Sequence, residues 1–389
     1  MDFITDVHWR SAALVGQALT ELRLLDKANE QYAAMIKRAQ KWLTKCIEEG
    51  HLSPRERAEA GDVLGQLGDP RFDAQRFYLP RWYRGQPEEF MGFVKIPAGE
   101  FVMGSRQGDE EAYDNELGNP DRLTLPYDYW LARYPVTVAQ YGAFVTAHGY
   151  DEERWWTKTG WQWRIGAYDS QVDNDVLRDW LKQRPAELRD RPFEWDDQRR
   201  YPNRPVIYVS WFESMAYGAW LSHQLQRDLP EGYLIRLPTE AEWEKAARFL
   251  PSPGAGEGSK MSGAVADAGV RYPWGNADWD ESRANIDNRH INRVTTVGLY
   301  PNGATSTGLH DLSGNVWEWC LSVYQPYPYE PQKNNLNDLE ARGVRVLRGG
   351  SWFSDARYAR CAARLGLDPV YFDDRVGVRV VLSLASSAF

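Results

Sequence analysis

Arg345–Val381 reads RVLRGGSWFSDARYARCAARLGLDPVYFDDRVGVRVV, and the reading of the chain turns on it. Apolar residues alternate at Val344 and Val346, the chain turns at Gly349-Gly350, and alternation returns at Val376, Val378 and Val380 with Arg379 between. Period-two alternation is the mark of β-strands, so two antiparallel strands are expected as a rigid frame. Between them runs an irregular segment dense in Trp, Phe, Tyr, Arg and Asp, the composition of a recognition surface. Its candidate contact residues are Phe353, Ser354, Asp355, Arg357, Tyr358, Leu365, Leu367, Tyr371, Phe372 and Asp373, while Trp352, next to the strand, is assigned to the core.

Upstream of this segment the texture is helical, then irregular. Residues 1–88 form an expected helical N-terminal region and connector. Apolar residues recur at helical steps from Ala12 to Leu25 and again from Tyr32 to Ile47. Ser53, Pro54 and Glu56 supply a capping box and a first-turn proline for a third helix, which Gly68 and Pro70 end. Such helix pairs resemble the last units of a repeat array, with a small helical cap as the equal alternative. From residue 89 to 389 a single irregular domain is expected. VKIPAGEFVMGS reads as a hairpin around Pro-Ala-Gly. Thr137, Ser210 and Thr239 each cap a helix, the last two with Glu213 and Glu242 three residues on. Residues 150–204 carry six tryptophans and read as a long packed insertion; residues 252–264 read as a Gly/Ser-rich loop.

Composition narrows the function classes. The 389 residues include 18 Trp and carry a formal net charge of −9, which argues against a nucleic-acid partner. No apolar run approaches the ~20 residues of a membrane helix, and no signal peptide is visible. The three cysteines, Cys46, Cys320 and Cys361, are far apart, as in unpaired thiols of a reducing, cytoplasmic compartment.

IPAGEFVMGS, YPVTVAQYGAFV, PVIYVSWFESMAYGAWLS, IRLPTEAEWEKAAR, YPWGN, ANI, GLHDLSGNVWEW, RVLRGGSW and GVRVV occur in that order. Together they resemble the formylglycine-generating enzyme/sulfatase-modifying factor family over residues 90–383. The resemblance implies an α+β, C-type-lectin-like fold with much irregular structure, preceded here by the small α-helical region. The RGGSW-to-GVRVV tail is also similar to the variable proteins of diversity-generating retroelements, which display a hypervariable ligand-binding face on this fold.

In family members that make formylglycine, two cysteines follow the RGGS-type motif, because thiolates bind soft copper(I) and drive the redox step. Ser354 stands at the first of these places, and Cys361 reads as buried filler. Related iron sulfoxide synthases add an HxxxHxE-type site, and the six histidines here lack that spacing. Neither copper nor iron is expected. The expectation is therefore a non-catalytic protein that binds a protein or other macromolecular ligand at its C-terminal face. A divergent oxidoreductase without the cysteine pair, or a signalling module of a larger helical-repeat or ATPase system, is the alternative. The resemblance further implies a structural Ca²⁺ held by the side chains of Asp311 and Glu318 and the carbonyls of Gly314 and Val316. An arginine partner for Glu318 is the alternative, and a second ion would use Asn285 and Ile286.

Overall fold

The computed structural model describes residues 5–22, 24, 30–119, 122–168, 175–249, 270–287, 291–330 and 336–385. The Gly/Ser-rich loop 252–264 lies outside them. The chain opens with three helices, α1 (Asp6–Glu21), α2 (Glu30–Glu49) and α3 (Pro54–Leu67). The capping box at α3 forms as its residues dictate: the Glu56 N–H donates to Ser53 Oγ, and the Ser53 N–H donates to the Glu56 carboxylate. Leu19, Leu43, Ile47, Ala60 and Leu64 pack these helices on one another and against Leu299 and Tyr300 of the following domain.

Polar contacts fix that docking. Arg57 donates to the Leu299 carbonyl at 2.8 Å, Asp62 takes both Arg204 and Arg293, and Asn203 Nδ2 donates to the Gly61 carbonyl at 3.0 Å. Any side chain at Gly61 or Gly65 would collide with Thr296 or Asn203, so glycine there permits the close approach.

Two four-stranded sheets frame the remainder. Along the chain come β1 (Phe93–Ile96), β2 (Tyr129–Ala132), α4 (Val138–Thr146), α5 (Trp211–Leu225), β3 (Tyr233–Arg236), α6 (Glu240–Ala247), β4 (Trp317–Val323), β5 (Arg345–Arg348), β6 (Arg364–Leu367), β7 (Val376–Val378) and β8 (Val381–Leu384). The first sheet has the order β1-β2-β8-β3 and the second β6-β5-β4-β7. Short helices and long loops join them, so the fold is α+β with much irregular backbone, as expected. Helix α5 is buried on nearly every side, with Trp211, Trp220, Tyr217 and Leu221 in the main core. A helix with that much apolar surface belongs at the centre of a domain.

Two expected pairings do not form. Phe93–Ile96 pairs with Tyr129–Ala132, and Gly99–Phe101 pairs instead with Leu123–Leu125. Pro97-Ala98 is thus a corner between sheets and not a hairpin turn. The two ends of the Arg345–Val381 stretch do not pair with each other either. β5 lies antiparallel to β4, and β7 lies parallel to it, so Trp317–Val323 is the middle strand between them. The antiparallel partner on the other edge of β5 is β6, inside the run read as irregular.

The tryptophan-rich insertion packs inward. Trp155, Trp156, Trp163 and Trp195 are buried, and Trp180 sends its indole N–H to the Phe372 carbonyl at 3.1 Å. Buried Arg184 pairs with Glu213 of α5 and lies over the Phe372 ring. The insertion thus covers part of the C-terminal segment.

Candidate functional site

Rigidity in the C-terminal segment comes from buried ion pairs as much as from strands. Arg348 meets Glu244, Arg364 meets Glu240 at 2.7 Å, Arg360 meets Glu116 at 2.8 Å and Arg379 meets Glu318 at 2.7 Å. Glu240 and Glu244 lie on α6, whose cap Thr239 accepts the Glu242 N–H. Arg360, Arg364 and Arg379 hold their carboxylates bidentately, which allows one orientation, and each of the four pairs pins one point of the segment. Gly349 and Gly350 adopt positive φ of 98° and 74°, the region that a side chain disfavours, and turn the chain off β5.

On this frame the ten predicted contact residues divide. Phe353, Asp355, Arg357 and Tyr358 are exposed, with Phe353 52% accessible. Asp355 Oδ1 accepts the Arg357 and Tyr358 N–H groups and shapes the turn. The Tyr358 ring stacks on Tyr113 at 4.9 Å, and the Arg357 guanidinium lies 3.9 Å from the Tyr113 centroid. Phe353 packs edge-on to Trp352, with Arg375 5.5 Å from its centroid. Half-buried Ser354 accepts the Ser351 N–H at 3.0 Å.

The other half of the prediction needs correction. Leu365 and Leu367 are half-buried on β6 against the main core. Tyr371 is half-buried and donates to Asp373 at 2.7 Å; Asp373 is itself buried and takes Arg375 as well. Phe372 is 1% exposed among Trp180, Phe193 and Tyr208, so it is core. Sequence reasoning in turn missed Tyr113, in the irregular stretch before β2, and Arg375. The outward face is Phe353, Asp355, Arg357 and Tyr358 with these two.

The calcium motif has a different occupant. Glu318 is fully buried, takes the Arg379 guanidinium on both oxygens at 2.7–3.1 Å and accepts the Trp243 indole N–H at 2.6 Å. Asp311 accepts the Gly298 N–H at 2.7 Å. The Gly314 carbonyl accepts the Val316 N–H, and buried Val316 packs on Trp352. At the second set, Asn285 donates to the Arg293 carbonyl and to Asn315, and Ile286 packs on Ala359. A hard divalent cation wants several free oxygens and no cation beside them. With a guanidinium already on Glu318, these residues do not fit calcium, and the arginine alternative describes them, with Arg379 as the partner.

Burial raises the Asp311 carboxyl from 3.8 to about 6, against the opposing Gly298 hydrogen bond. The folded state therefore holds this proton more tightly than the unfolded chain does. Stability from this group is whole below the unfolded value of 3.8 and lost as pH rises through about 6. Asp311→Asn keeps an acceptor for Gly298. It is expected to raise the melting temperature at neutral pH, by at most about 3 kcal/mol of stability, with no gain near pH ~4. A drop at neutral pH that calcium reverses would restore the cation reading. Differential scanning calorimetry across pH, with and without chelator, makes the check.

The thiols are unsuited to nucleophilic or copper chemistry. All three cysteines are buried. Burial pushes the Cys361 thiol up to about 12, and Cys361 donates to the Ala247 carbonyl. A copper(I) site would need paired thiolates, and these residues do not fit one. Among the described residues no group of three or more His, Cys, Asp or Glu side chains could hold a metal ion. Native protein is expected to leave all three thiols unlabelled by a chromogenic disulfide reagent and to expose them together on unfolding. Fast native labelling of one would contradict this.

Residues 83–384 match the model of the sulfatase-modifying factor enzyme 1-like domain. The chain is similar to hercynine oxygenase of Mycolicibacterium thermoresistibile, 33% identical over 290 residues covering 72% of this chain and 56% of that protein. It is similar to formylglycine-generating enzyme of Streptomyces coelicolor, 30% identical over 315 residues covering 76% of this chain and 90% of that one. Treponema denticola variable protein 1, a solved structure, is a distant likeness at TM-score 0.42 and 20% identity, covering 74% of this chain and 94% of that one. The chain spans about half the length of the hercynine oxygenase. Both curated relatives are named as enzymes, which overturns the expectation, drawn from the missing cysteine pair, that the chain is not an enzyme.

Proposed function

This chain belongs to the sulfatase-modifying factor enzyme 1-like family, and on that premise we propose that its C-terminal face grips the ligand on which the protein acts. The supporting observation is Phe353, 52% exposed yet held edge-on by Trp352 and flanked by Arg375. A large aromatic fixed in place offers contact area at low entropic cost. Tyr358, Tyr113 and Arg357 extend the face with the residue types that dominate binding hot spots. Three aromatic rings and two guanidiniums suit a protein or other macromolecule with apolar and acidic groups side by side. Any chemistry performed on it would not run through Cys361, whose thiol is buried and protonated.

Retroelement diversification, if it acts on this segment, would fall on Phe353, Asp355, Arg357 and Tyr358, the outward positions. A near-copy of this coding stretch beside a reverse-transcriptase gene tests that extension of the reading. The binding itself is tested by a photo-crosslinking amino acid placed at position 353 and, separately, at position 14, where Leu14 is 66% exposed on α1. The expected result is one species captured from position 353 and absent from position 14. Equal capture at both positions, or none at 353, would contradict the proposal.

A further inference from the structure

A second site lies away from the C-terminal face. A cleft of about 920 Å³ opens between α2 and the connector, with Pro301 and Asn302 of the main domain on its rim. Lys37, Lys41, Thr44, Arg81, Trp82 and Arg84 supply its chemistry. The protein carries a net charge of −9, so a concentration of cations in this cleft is not what composition alone would place there. Lys37, Lys41 and Lys45 stand four residues apart on α2, a spacing at which like charges face one another and repel.

The carboxylates in the cleft are already engaged. Glu49 meets Lys45 and His51, and half-buried Glu48 accepts the Arg84 N–H at 2.9 Å. Burial also raises the Glu48 carboxyl, favouring its neutral form. Among the described residues no ion pair forms at Lys37, Lys41, Arg81 or Arg84. Thr44 Oγ1 is buried with no hydrogen-bond partner, a polar group that ordinarily finds one.

Opposite the lysines a two-stranded hairpin pairs Trp82 with Pro87 and Tyr83 with Gln86. Arg84 and Gly85 make its turn at φ 49° and 74°, the left-handed pair of a tight hairpin. The hairpin presents Trp82, 44% exposed, as a flat surface beside the cations. We infer that this cleft binds a nucleotide: lysine and arginine groups for the phosphates, and the Trp82 indole as a stacking platform for the base.

Isothermal titration of the full chain with ATP, inorganic tripolyphosphate and adenosine separates the parts of this assignment. ATP is expected to bind most tightly, tripolyphosphate less tightly and adenosine least, with the first two weakening as salt rises. The double variant Lys37→Ala/Lys41→Ala removes two exposed side chains and should keep its melting temperature while losing about tenfold or more in ATP affinity. Trp82→Ala should lose about tenfold for ATP and leave tripolyphosphate unchanged. Equal affinities for ATP and tripolyphosphate would overturn the nucleotide assignment. So would adenosine binding as tightly as ATP, no heat from either phosphate at low salt, or a double-lysine variant that binds like the parent. None of these substitutions touches Phe353 or Tyr358, so failure here leaves the C-terminal face to its own test.

Discussion

Replacing Arg379 with methionine is expected to lower the stability of the fold by about 3–5 kcal/mol, the usual cost of stranding one partner of a buried ion pair. Both Arg379 and Glu318 are fully buried. Arg379 also donates to the Ala132 carbonyl at 2.8 Å and the His310 carbonyl at 2.7 Å, tying β2 and the turn before β4 to the end of β7. Without it the Glu318 carboxylate keeps only the Trp243 indole N–H, far from enough for a charge with no water around it. In a domain of this size the loss corresponds to a melting-temperature drop of roughly 10 °C. Arg379→Met combined with Glu318→Leu should recover most of it, because removing both charges together is far less costly than removing one. A single variant within about 1 kcal/mol of the parent would mean that something other than Arg379 satisfies Glu318.

The second large effect is at Phe372. Phe372→Ser is expected to cost about 3–5 kcal/mol, since the ring fills the space between Trp180, Phe193 and Tyr208 and has Arg184 on its face. It also puts a hydroxyl where apolar groups were. Urea unfolding with an unchanged slope and a much lower midpoint would be the signature. A midpoint near that of the parent would place Phe372 on the outward face after all.

These residues also mark where the sequence could be read and where it could not. Ser53, Ser210 and Thr239 were legible as caps because the partner of each lies three residues away, at Glu56, Glu213 and Glu242; at Thr137 the structure adds Gln140 as the partner. The α+β class and the lectin-like architecture followed from long ordered motifs. Strand pairing did not follow. β5 and β7 share β4 as their neighbour, and alternation records which face a strand buries, not which strand lies beside it. Phe372 sits between Tyr371 and two aspartates, a local setting that reads as exposed; the cover comes from an insertion nearly two hundred residues earlier, and Trp180 bonds to it across 192 positions.

The same distance misled the metal reading. Asp311 and Glu318 are close in sequence and look like a ligand pair, whereas the arginine that occupies Glu318 is 61 residues on. Arg379 itself, between Val378 and Val380, has the outward look of a polar residue in an alternating strand. Its burial becomes legible only once its carboxylate is known. At the outward face the tally was half visible: an aromatic and charged run signalled recognition, but Tyr113, which completes it, comes from a loop with no local sign of that role.

The C-terminal segment combines a buried frame with outward residues proposed to meet a ligand. Thermal unfolding of the double variant Phe353→Ser/Tyr358→Ser, beside the parent, tests this most directly. Exposed side chains contribute within about ±0.5 kcal/mol, and the Tyr113–Tyr358 stack adds about 1 kcal/mol. The expected result is a cooperative transition only about 2–6 °C below that of the parent, together with loss of the species captured at the C-terminal face. A collapse of the fold would show that these aromatics are core, and would contradict it.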